Sequence, residues 1–276
     1  MKIVAGSSSP LLSRRIASIL GLEFAKVTFK RFPDGEIYVR VEDAGDEPVI
    51  VQSITSNDDL VTLMLMLDAL DGKDVTVVVP YMGYARQDKK FNEGEPISIR
   101  AVARMIEGYA DRVITVNIHS KDASSHFKKL EEVDAMPIIG EHYRGRNVVM
   151  ISPDLGSYER VRVCAEHAGC EFDYLEKRRI DAENVEIKPK NLDVKGREVV
   201  IVDDIISTGG TMVEATRMLL RAGAKSVECA CVHAVLAGNA LNKLFSAGVR
   251  NVIATDTIER AVSVVSVASA IAERLR

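Results

Sequence analysis

The chain has 276 residues and a mass of 30.3 kDa, a length that predicts about two domains and a core that needs no disulfides or structural metal. Its 36 Lys and Arg residues against 40 Asp and Glu residues give a net charge of −4, which argues against a general nucleic-acid-binding protein. No apolar run reaches the roughly 20 residues of a membrane helix, and the N-terminus lacks the pattern of a secretory signal, so we expect no membrane association.

Apolar, β-branched runs alternate with helical patterns along the chain. The runs are continuous, which is typical of strands buried on both faces of a parallel sheet. The alternation predicts an α/β fold with mainly parallel sheets flanked by helices, and ligands beyond the carboxyl ends of the strands. In chain order, the predicted elements are strand Lys2–Ala5, helix Pro10–Leu20, strand Val49–Gln52, helix Asp58–Leu70, strand Val75–Val79, helix Ile97–Tyr109, strands Val113–Asn117 and Val148–Ile151, helix Tyr158–Ala168, strand Glu198–Val202, helix Thr211–Ala222, strands Val227–Val232, Asn251–Ala254 and Val262–Val267, and a terminal helix.

The cysteines and aromatic residues narrow the class of protein further. The four cysteines contain no CxxC pair, so we expect buried, reduced thiols and a cytoplasmic protein. Aromatic residues are only 5% of the chain and Trp is absent, which argues against a stacking surface for single-stranded nucleic acid.

The chain repeats itself once. Gly21–Phe24 recurs 148 residues later as Gly169–Phe172, and Glu47–Val51 recurs 151 residues later as Glu198–Val202. The order of predicted elements is the same in both stretches, so we infer a duplicated domain. The boundary is predicted between residues 138 and 147, where Gly140 and Gly145 interrupt the pattern. It separates a first domain of residues 1–140 from a second domain of residues 141–260.

The segment after the strand Glu198–Val202 has the composition of a phosphate-binding loop. Its glycines allow close approach of the backbone to a ligand, while the start of the following helix offers unpaired N–H groups and partial positive charge. The two aspartates that precede the loop suit ribose hydroxyls or a nearby cation, and the alternative is an ordinary capped helix. The first half has neither the acidic pair nor the glycines at this place. The candidate residues are Asp203, Asp204, Ser207, Thr208, Gly209, Gly210 and Thr211.

Five motifs together resemble a known family. Val202–Thr211 resembles the phosphoribosyl-pyrophosphate loop that phosphoribosyltransferases share with ribose-phosphate pyrophosphokinases. Arg31–Glu36 and Pro80–Lys89 resemble signatures of the ribose-phosphate pyrophosphokinases alone. With Ser152–Asp154 and Glu176–Arg179, this resemblance covers nearly the whole chain in the expected order.

The resemblance implies an activity and an assembly. The reaction converts ATP and ribose 5-phosphate into 5-phosphoribosyl 1-pyrophosphate and AMP, for nucleotide biosynthesis, with Mg²⁺ as the cofactor. It implies two similar phosphoribosyltransferase-like domains, with residues 261–276 packed back on the first. It also implies a homo-oligomer, at least a dimer, whose ATP site is shared between subunits.

The ATP-binding residues are implied in two loops. Pro33–Gly35 reads as a turn, which Phe32, Asp34, Gly35 and Glu36 would use to hold adenine by stacking and hydrogen bonds in the neighbouring subunit; without the resemblance, this is a plain surface turn. Two further residues follow the strand Val75–Val79. There, Arg86 would pair with nucleotide phosphates and Gln87 would hold the ribose or the base.

The metal ligands implied are His119 and Asp154, each of which follows a predicted strand. Mg²⁺ prefers oxygen ligands and retains waters, so one histidine requires a carboxylate and phosphate oxygens beside it. The family often has Asp-Leu-His where this chain has Asn117-Ile118-His119, and Asn is a weaker, neutral ligand.

The catalytic residues implied are Lys177 and Arg179, in a polar segment that extends to Lys195 and reads as a long loop or loose hairpin. The family uses such a loop to close on bound substrates, and its cations neutralise the transferring diphosphate. Arg179 would also contact ribose 5-phosphate, and no role is assigned to Arg178. By composition alone, such a charged run is usually a solvated surface.

Two other functions compete with this interpretation. A phosphoribosyltransferase would need the Asp203–Thr211 loop but not the two ATP-binding loops, and it would release pyrophosphate in a reaction that requires a nucleobase. A catalytically silent regulatory paralogue would be expected to lose Lys177, Arg179 or His119, and this chain retains all three.

Overall fold

A computed structural model describes residues 1–179 and 185–276, and the side chains of all these residues except 177–179 and 185–188. The chain divides into two compact units. The first comprises Met1–Asp134, Thr257–Glu259 and Ser266–Arg276, and the second comprises Ala135–Asp256 and Arg260–Val265. No helix in the described residues is long and apolar enough to cross a membrane.

The first unit contains a parallel sheet of five strands in the order β1-β4-β5-β6-β7 and a separate antiparallel hairpin, β2–β3. Its strands are β1 Lys2–Ala5, β2 Lys26–Arg31, β3 Ile37–Glu42, β4 Pro48–Val51, β5 Thr76–Val79, β6 Arg112–Val116 and β7 Leu130–Val133. Its helices are α1 Pro10–Leu20, α2 Asn57–Asp68, α3 Ser98–Glu107, α4 Lys121–Ser124 and α9 Ala268–Leu275.

The second unit contains a seven-stranded sheet in the order β10-β9-β8-β11-β12-β13-β14, in which only β10 is antiparallel to its neighbour. Its helices are α5 Met136–Tyr143, α6 Tyr158–Ala168, α7 Gly210–Arg221 and α8 Ala240–Ser246. Its strands are β8 Val148–Ser152, β9 Glu171–Arg179, β10 Val185–Pro189, β11 Glu198–Ile206, β12 Ser226–Ala234, β13 Val249–Thr255 and β14 Ser263–Val265.

Burial explains why the central strands read as continuous apolar runs. Every residue of β4 and β5 is buried, because helices cover both faces of the sheet. Helix α1 turns its buried residues Leu12 and Ile16 towards the core, at the spacing of one helical turn. The predicted α/β fold class with two similar domains is therefore confirmed.

The duplication is visible in the strand register. In the first unit Ile3 pairs with Val49 and forms a bridge with Phe24. In the second unit Met150 pairs with Val200 and with Phe172, so the same three-way arrangement recurs 147 to 151 residues later. The repeated glycines at positions 21 and 169 both end a helix in the left-handed conformation, with φ of 66° and 71°.

The two hairpins match more closely still. Arg31 pairs with Ile37 in the β2–β3 hairpin, and Arg179 pairs with Val185 in the β9–β10 hairpin, both 148 positions further along the chain. The predicted adenine loop and the predicted catalytic segment therefore lie on corresponding copies of one hairpin. The sequence prediction omitted β2 and β3, because their outer residues are exposed and lack the apolar run of a buried strand.

Gly140 lies inside helix α5, although the sequence analysis treated it as an interruption of the pattern. A Cβ at this position would lie 2.2 Å from the carbonyl oxygen of Cys164 and 2.7 Å from the Cβ of His167. Only glycine fits where α5 crosses α6 so closely. The units divide before α5, at Asp134.

The C-terminal segment is shared between the units. The strand Ser263–Val265 pairs with β13 and completes the second sheet. Helix α9 belongs to the first unit, where it packs against α1. The side chain of Glu259 also lies in the first unit, where it accepts a hydrogen bond from the backbone N–H of Leu12 at 2.8 Å.

Candidate functional site

Asp203 and Asp204 lie within strand β11, which continues to Ile206 rather than ending at Val202. Strand β12 is equally long, and Asp203 pairs with Cys231 while Ile206 pairs with Ala234. The two carboxyls are thus held by a sheet rather than by a loop. The sequence prediction ended this strand at Val202 because the next two residues, Asp203 and Asp204, are polar.

Each carboxyl of the acidic pair contacts a side chain from the segment that follows strand β8. The carboxylate of Asp204, only 4% exposed, forms an ion pair with Arg160 at 3.2 Å. The hydroxyl of Ser157 donates to Oδ1 of Asp203 at 2.6 Å. Burial, followed by the neighbouring charge of Asp204, raises the pKa of Asp203 to about 7. Near neutral pH this carboxyl therefore exchanges between donor and acceptor forms, both of which suit a sugar hydroxyl.

Sequence reasoning missed Ser157 and Arg160. Both belong to the segment between β8 and the first turn of α6, where nothing in the local pattern indicates a link to β11. The parallel pairing of β8 with β11 brings the two segments together. The usable signal was the polar cluster that follows β8, at the same sheet edge as Asp203.

The start of helix α7 is open. Gly209 is its N-cap, with φ of 77°, a left-handed conformation that favours glycine. No side chain among the described residues makes a capping hydrogen bond at the start of this helix. Thr208, Gly210 and Thr211 are exposed and Ser207 is half-buried. The predicted phosphate loop therefore has the geometry of an anion site.

The corresponding helix of the first unit, α2, has a closed start. The Ser56 side chain accepts a hydrogen bond from the backbone N–H of Asp59 at 3.1 Å. The Asp59 carboxylate accepts in turn from the backbone and hydroxyl of Thr55, at 2.9 and 2.6 Å. With Asp58 also in the first turn, this end carries negative charge of its own. Of the two corresponding helix starts, α7 has neither a side-chain cap nor an acidic residue in its first turn.

The predicted adenine loop is a tight turn at the tip of the β2–β3 hairpin. The N–H of Phe32 donates to the carbonyl of Glu36 at 2.8 Å, and that of Gly35 donates to the carbonyl of Phe32 at 2.9 Å. Phe32 is 50% exposed and meets Tyr38 edge to face at 6.1 Å. Asp34 is also exposed, so ring and carboxylates are presented to solvent together.

Arg86 and Gln87 follow a turn just beyond strand β5. Tyr84 in this turn has φ of 65°, a strained conformation for a residue with a side chain. Arg86 is exposed, whereas Gln87 is half-buried and its side-chain oxygen accepts a hydrogen bond from the hydroxyl of Ser98. The Gln87 amide is thereby oriented, with its nitrogen turned away from Ser98.

His119 lies at the carboxyl end of β6 and is half-buried. The next residue, Ser120, donates a hydrogen bond to the carboxylate of Asp88, and the ring of His126 contacts the Asp88 carbonyl at 3.0 Å. Asp88 thus joins the Arg86 turn to the His119 loop, a link that sequence analysis missed because the residues are 32 positions apart.

Asn117 connects the ends of two neighbouring strands of the first sheet. It is 7% exposed, has φ of 35°, and its side-chain amide donates to Oδ1 of Asp134 at 2.8 Å. Its backbone N–H donates to the carbonyl of Val133 at 3.0 Å. These bonds tie the end of β6 to the end of β7, a task that an amide donor performs and a carboxylate does not.

The two predicted metal ligands belong to different units, His119 to the first and Asp154 to the second. Asp154 is exposed, and its Oδ1 accepts a hydrogen bond from the backbone N–H of Ser157 at 3.1 Å. Among the residues that the structure describes, no three His, Cys, Asp or Glu side chains form a metal site. The imidazole of His119 and the carboxylate of Asp154 are each of a type that binds Mg²⁺ when phosphate oxygens and waters complete its coordination.

The predicted catalytic side chains of Lys177 and Arg179 lie outside the described part of the chain. Their backbone belongs to strand β9, where Lys177 pairs with Ile187 and Arg179 with Val185. The described residues on either side of positions 180–184 thus pair as antiparallel strands.

The raised pKa of Asp203 leads to a stability prediction. Between pH 3.8 and about 7, Asp203 is largely protonated in the folded chain but ionised in the unfolded chain. The free energy of unfolding therefore falls as pH rises through this window. Asp203→Asn removes this penalty. We expect the variant to exceed the wild type by about 2–4 kcal/mol at pH 8 and to match it near pH 4. Thermal unfolding across this range, without ligands, measures the difference.

The neighbouring position provides the control. Asp204→Asn removes the carboxylate that pairs with Arg160, so this variant should unfold at a lower temperature than the wild type at pH 8. If the free energies of unfolding of Asp203→Asn and the wild type differ by the same amount from pH 4 to pH 8, Asp203 does not have a raised pKa in the fold.

Family models match both units. Residues 1–109 match the N-terminal domain of ribose phosphate pyrophosphokinase, and residues 134–269 match the phosphoribosyl transferase domain.

Relatives of the whole chain agree with these matches. A protein of Archaeoglobus fulgidus named ribose-phosphate pyrophosphokinase 2 is 62% identical over 275 residues and covers 100% of both chains. The ribose-phosphate pyrophosphokinase of Methanosarcina acetivorans is 47% identical and covers 100% of this chain and 99% of its own. The crystal structure of phosphoribosylpyrophosphate synthetase from Mycobacterium smegmatis superposes with a TM-score of 0.85 at 31% identity, covering 100% and 97% of the two chains. The chain belongs to the ribose-phosphate pyrophosphokinase family of enzymes.

Proposed function

We propose that this enzyme transfers the diphosphoryl group of Mg-ATP to the anomeric hydroxyl of ribose 5-phosphate, giving 5-phosphoribosyl 1-pyrophosphate and AMP for nucleotide biosynthesis. The observation that carries the proposal is the uncapped start of helix α7, which follows an acidic pair, Asp203 half-buried and Asp204 buried, in one copy of a duplicated fold. A phosphate monoester bound by a sugar matches both halves of this arrangement.

In this proposal, the second unit holds the acceptor. The N–H groups at the start of α7 and the hydroxyls of Ser207, Thr208 and Thr211 bind the 5-phosphate, and Gly209 and Gly210 allow its close approach. Asp203 and Asp204 accept hydrogen bonds from the ribose hydroxyls, so the sugar is fixed at both ends. Fixing the acceptor in this way removes much of the entropic cost of bringing it to the nucleotide.

The nucleotide is held by the two loops of the first unit. Phe32 stacks on adenine, with Asp34 and Glu36 as acceptors for its amino group and Gly35 in the turn between them. Arg86 pairs with the phosphates, and Gln87 binds the ribose or base. The exposure of the Phe32 ring supports contact with a second chain, so the proposal includes a homo-oligomer of at least two subunits.

In the reaction, the anomeric oxygen forms a bond to the β-phosphorus and loses its proton, while the bond from that phosphorus to the α-bridging oxygen breaks. AMP leaves with the bonding electrons. Lys177 and Arg179 neutralise the charge that develops on the transferring group. His119 and Asp154 would hold Mg²⁺, which supplies charge neutralisation and alignment of the phosphate oxygens when bound.

We also place the protein in the cytoplasm. All four cysteines are free, and burial raises the pKa of Cys229 to about 12, so this thiol is protonated and unreactive. Free thiols of this kind are typical of a reducing compartment.

Product analysis tests the proposed function. With ATP, ribose 5-phosphate and Mg²⁺, the purified chain should form AMP and the sugar pyrophosphate in equal amounts, with no nucleobase present. Formation of ADP instead of AMP would indicate a monophosphoryl kinase. Nucleobase-dependent release of pyrophosphate without AMP formation would indicate a phosphoribosyltransferase. Either result would overturn the proposal.

A further inference from the structure

The β2–β3 hairpin is held to the core at its base but not at its tip. Val27, Val39 and Val41 pack against the core of the first unit. Beyond them, the last three residues of β2 are exposed, as is the whole loop from Phe32 to Glu36. An isolated two-stranded hairpin is only marginally stable in water. The tip therefore requires a further contact if it is to present the adenine-binding side chains in one conformation.

Arg31 supplies this contact. Its Nη1 donates a hydrogen bond to the carbonyl oxygen of Gly35 at 2.9 Å, which connects the end of β2 to the loop. Its Nη2 donates to Oδ2 of Asp58 at 2.6 Å. One guanidinium thus joins the turn to helix α2, and its planar fork serves two acceptors at once.

Asp58 is a firm anchor because helix α2 is fixed to the core. The helix buries Leu63, Met66 and Leu67 against the first sheet, and Ser56 caps its start. Asp58 lies in the first turn, where the helix dipole favours a carboxylate. The anchor is therefore in place whether or not a nucleotide is bound.

The duplication allows the Arg31–Asp58 pair to be compared with the corresponding residues of the second unit. By the register of the two hairpins Arg31 corresponds to Arg179. Helix α2 corresponds to α7, and its first turn carries Asp58, whereas the first turn of α7 carries no acidic residue. In the first unit a carboxylate of the chain itself therefore binds the arginine that corresponds to Arg179. The groove between hairpin and α2, about 510 Å³, is lined by this pair.

We propose that the Arg31–Asp58 pair is a positioning pair for ATP, which holds the loop Phe32–Glu36 ready for adenine. The proposal rests on the proposed function, because it presumes that this loop binds the nucleotide. Neither side chain takes part in phosphoryl transfer. The pair acts before binding, by reducing the number of loop conformations that the nucleotide must select among.

Steady-state kinetics of Arg31→Gln and Asp58→Asn test the pair. Each variant should raise KM for ATP by about three- to fivefold, while kcat at saturating ATP and KM for ribose 5-phosphate stay within about twofold of wild type. The double variant should resemble the single variants, because the two residues act as one unit. Arg31→Lys keeps the charge opposite Asp58 and should recover part of the affinity.

Arg40→Gln is the matched control. Arg40 lies on the same hairpin and forms an exposed ion pair with Glu42 at 3.0 Å, but it does not contact the loop. Its KM for ATP should equal that of the wild type. Thermal unfolding of every variant shows whether a kinetic change reflects loss of the fold.

Three results would overturn the proposal while the wild type makes AMP normally. The first is an unchanged KM for ATP in Arg31→Gln. The second is an effect of Arg31→Gln without one of Asp58→Asn, since Arg31 would then act on the nucleotide directly. The third is an equal loss in kcat and in both KM values. A wild type that makes no AMP would instead contradict the proposed function, so the two failures are distinguishable.

Discussion

Replacement of Lys177 by alanine is expected to lower kcat by about 10²–10³-fold and to change ATP binding by less than about threefold. The reason is that negative charge increases on the bridging and equatorial oxygens of the transferring diphosphoryl group only as the bond to AMP breaks. In the proposed mechanism, Lys177 acts on that charge and not on the resting nucleotide. Single-turnover kinetics with equilibrium ATP binding separate these quantities.

Lys190→Ala is the control for Lys177→Ala. Lys190 directly follows β10 and donates to the hydroxyl of Tyr174 at 2.8 Å, so its removal takes the same charge from the same hairpin. We expect its kcat to stay within about threefold of wild type. Equal losses of ATP affinity and turnover in Lys177→Ala would argue against a role in the transition state.

Mixing Lys177→Ala with Phe32→Ala tests the shared site. If the adenine loop serves a neighbouring subunit, mixed oligomers contain some sites with both intact elements, and part of the activity returns. Without subunit sharing, the mixture has only the sum of the two residual activities.

Gly209→Asp is expected to weaken binding of ribose 5-phosphate by at least about 100-fold while the fold persists. The substitution adds a negative charge to the helix start at which the phosphate is proposed to bind, as Asp58 does in the first turn of α2. A Cβ at position 209 would make ordinary contact with Ala240 at 3.5 Å and with Leu244 at 3.6 Å. The left-handed φ costs about 1 kcal/mol, and Asp and Asn tolerate this conformation better than other side chains.

Gly209→Asn separates charge from shape. It has the size and backbone preference of the aspartate variant but lacks the negative charge, so its loss of affinity should be smaller by at least tenfold. Calorimetric titration with ribose 5-phosphate gives both affinities. Equal affinities in the two variants would mean that steric exclusion, not charge, governs this position.

Local pattern was sufficient for the buried elements. The helices Pro10–Leu20 and Tyr158–Ala168 have the predicted bounds, because each begins and ends at strong local signals. The central strands were likewise recognisable, since burial on both faces leaves a continuous apolar run. These elements decide the fold class, so the α/β architecture and its duplication could be predicted.

The elements that escaped prediction depend on contacts between distant segments. Helix α5 was missed because Gly140 reads as a breaker, and its purpose becomes visible only where α6 crosses it. The β2–β3 hairpin was missed because it lacks the apolar run of a buried strand, and the bond that holds its tip joins Arg31 to a residue 27 positions away. Neither relation leaves a periodic signal in the sequence.

The candidate site divides in the same way. The acidic pair, the glycines and the exposed loop residues were identifiable from composition and resemblance. The groups that orient them were not: Ser157 bonds to Asp203 across 46 residues, and Arg160 pairs with Asp204. These partners meet only because β8 pairs with β11.

We propose that duplication produced two corresponding helix starts, of which α7 alone binds a sugar phosphate. Calorimetric titration of the full chain with ribose 5-phosphate tests this proposal, because the stoichiometry counts the sites. We predict one ribose 5-phosphate per chain, with no detectable binding in Gly209→Asp at the concentrations that saturate the wild type. Two molecules per chain, or one molecule that still binds to Gly209→Asp with wild-type affinity, would contradict it.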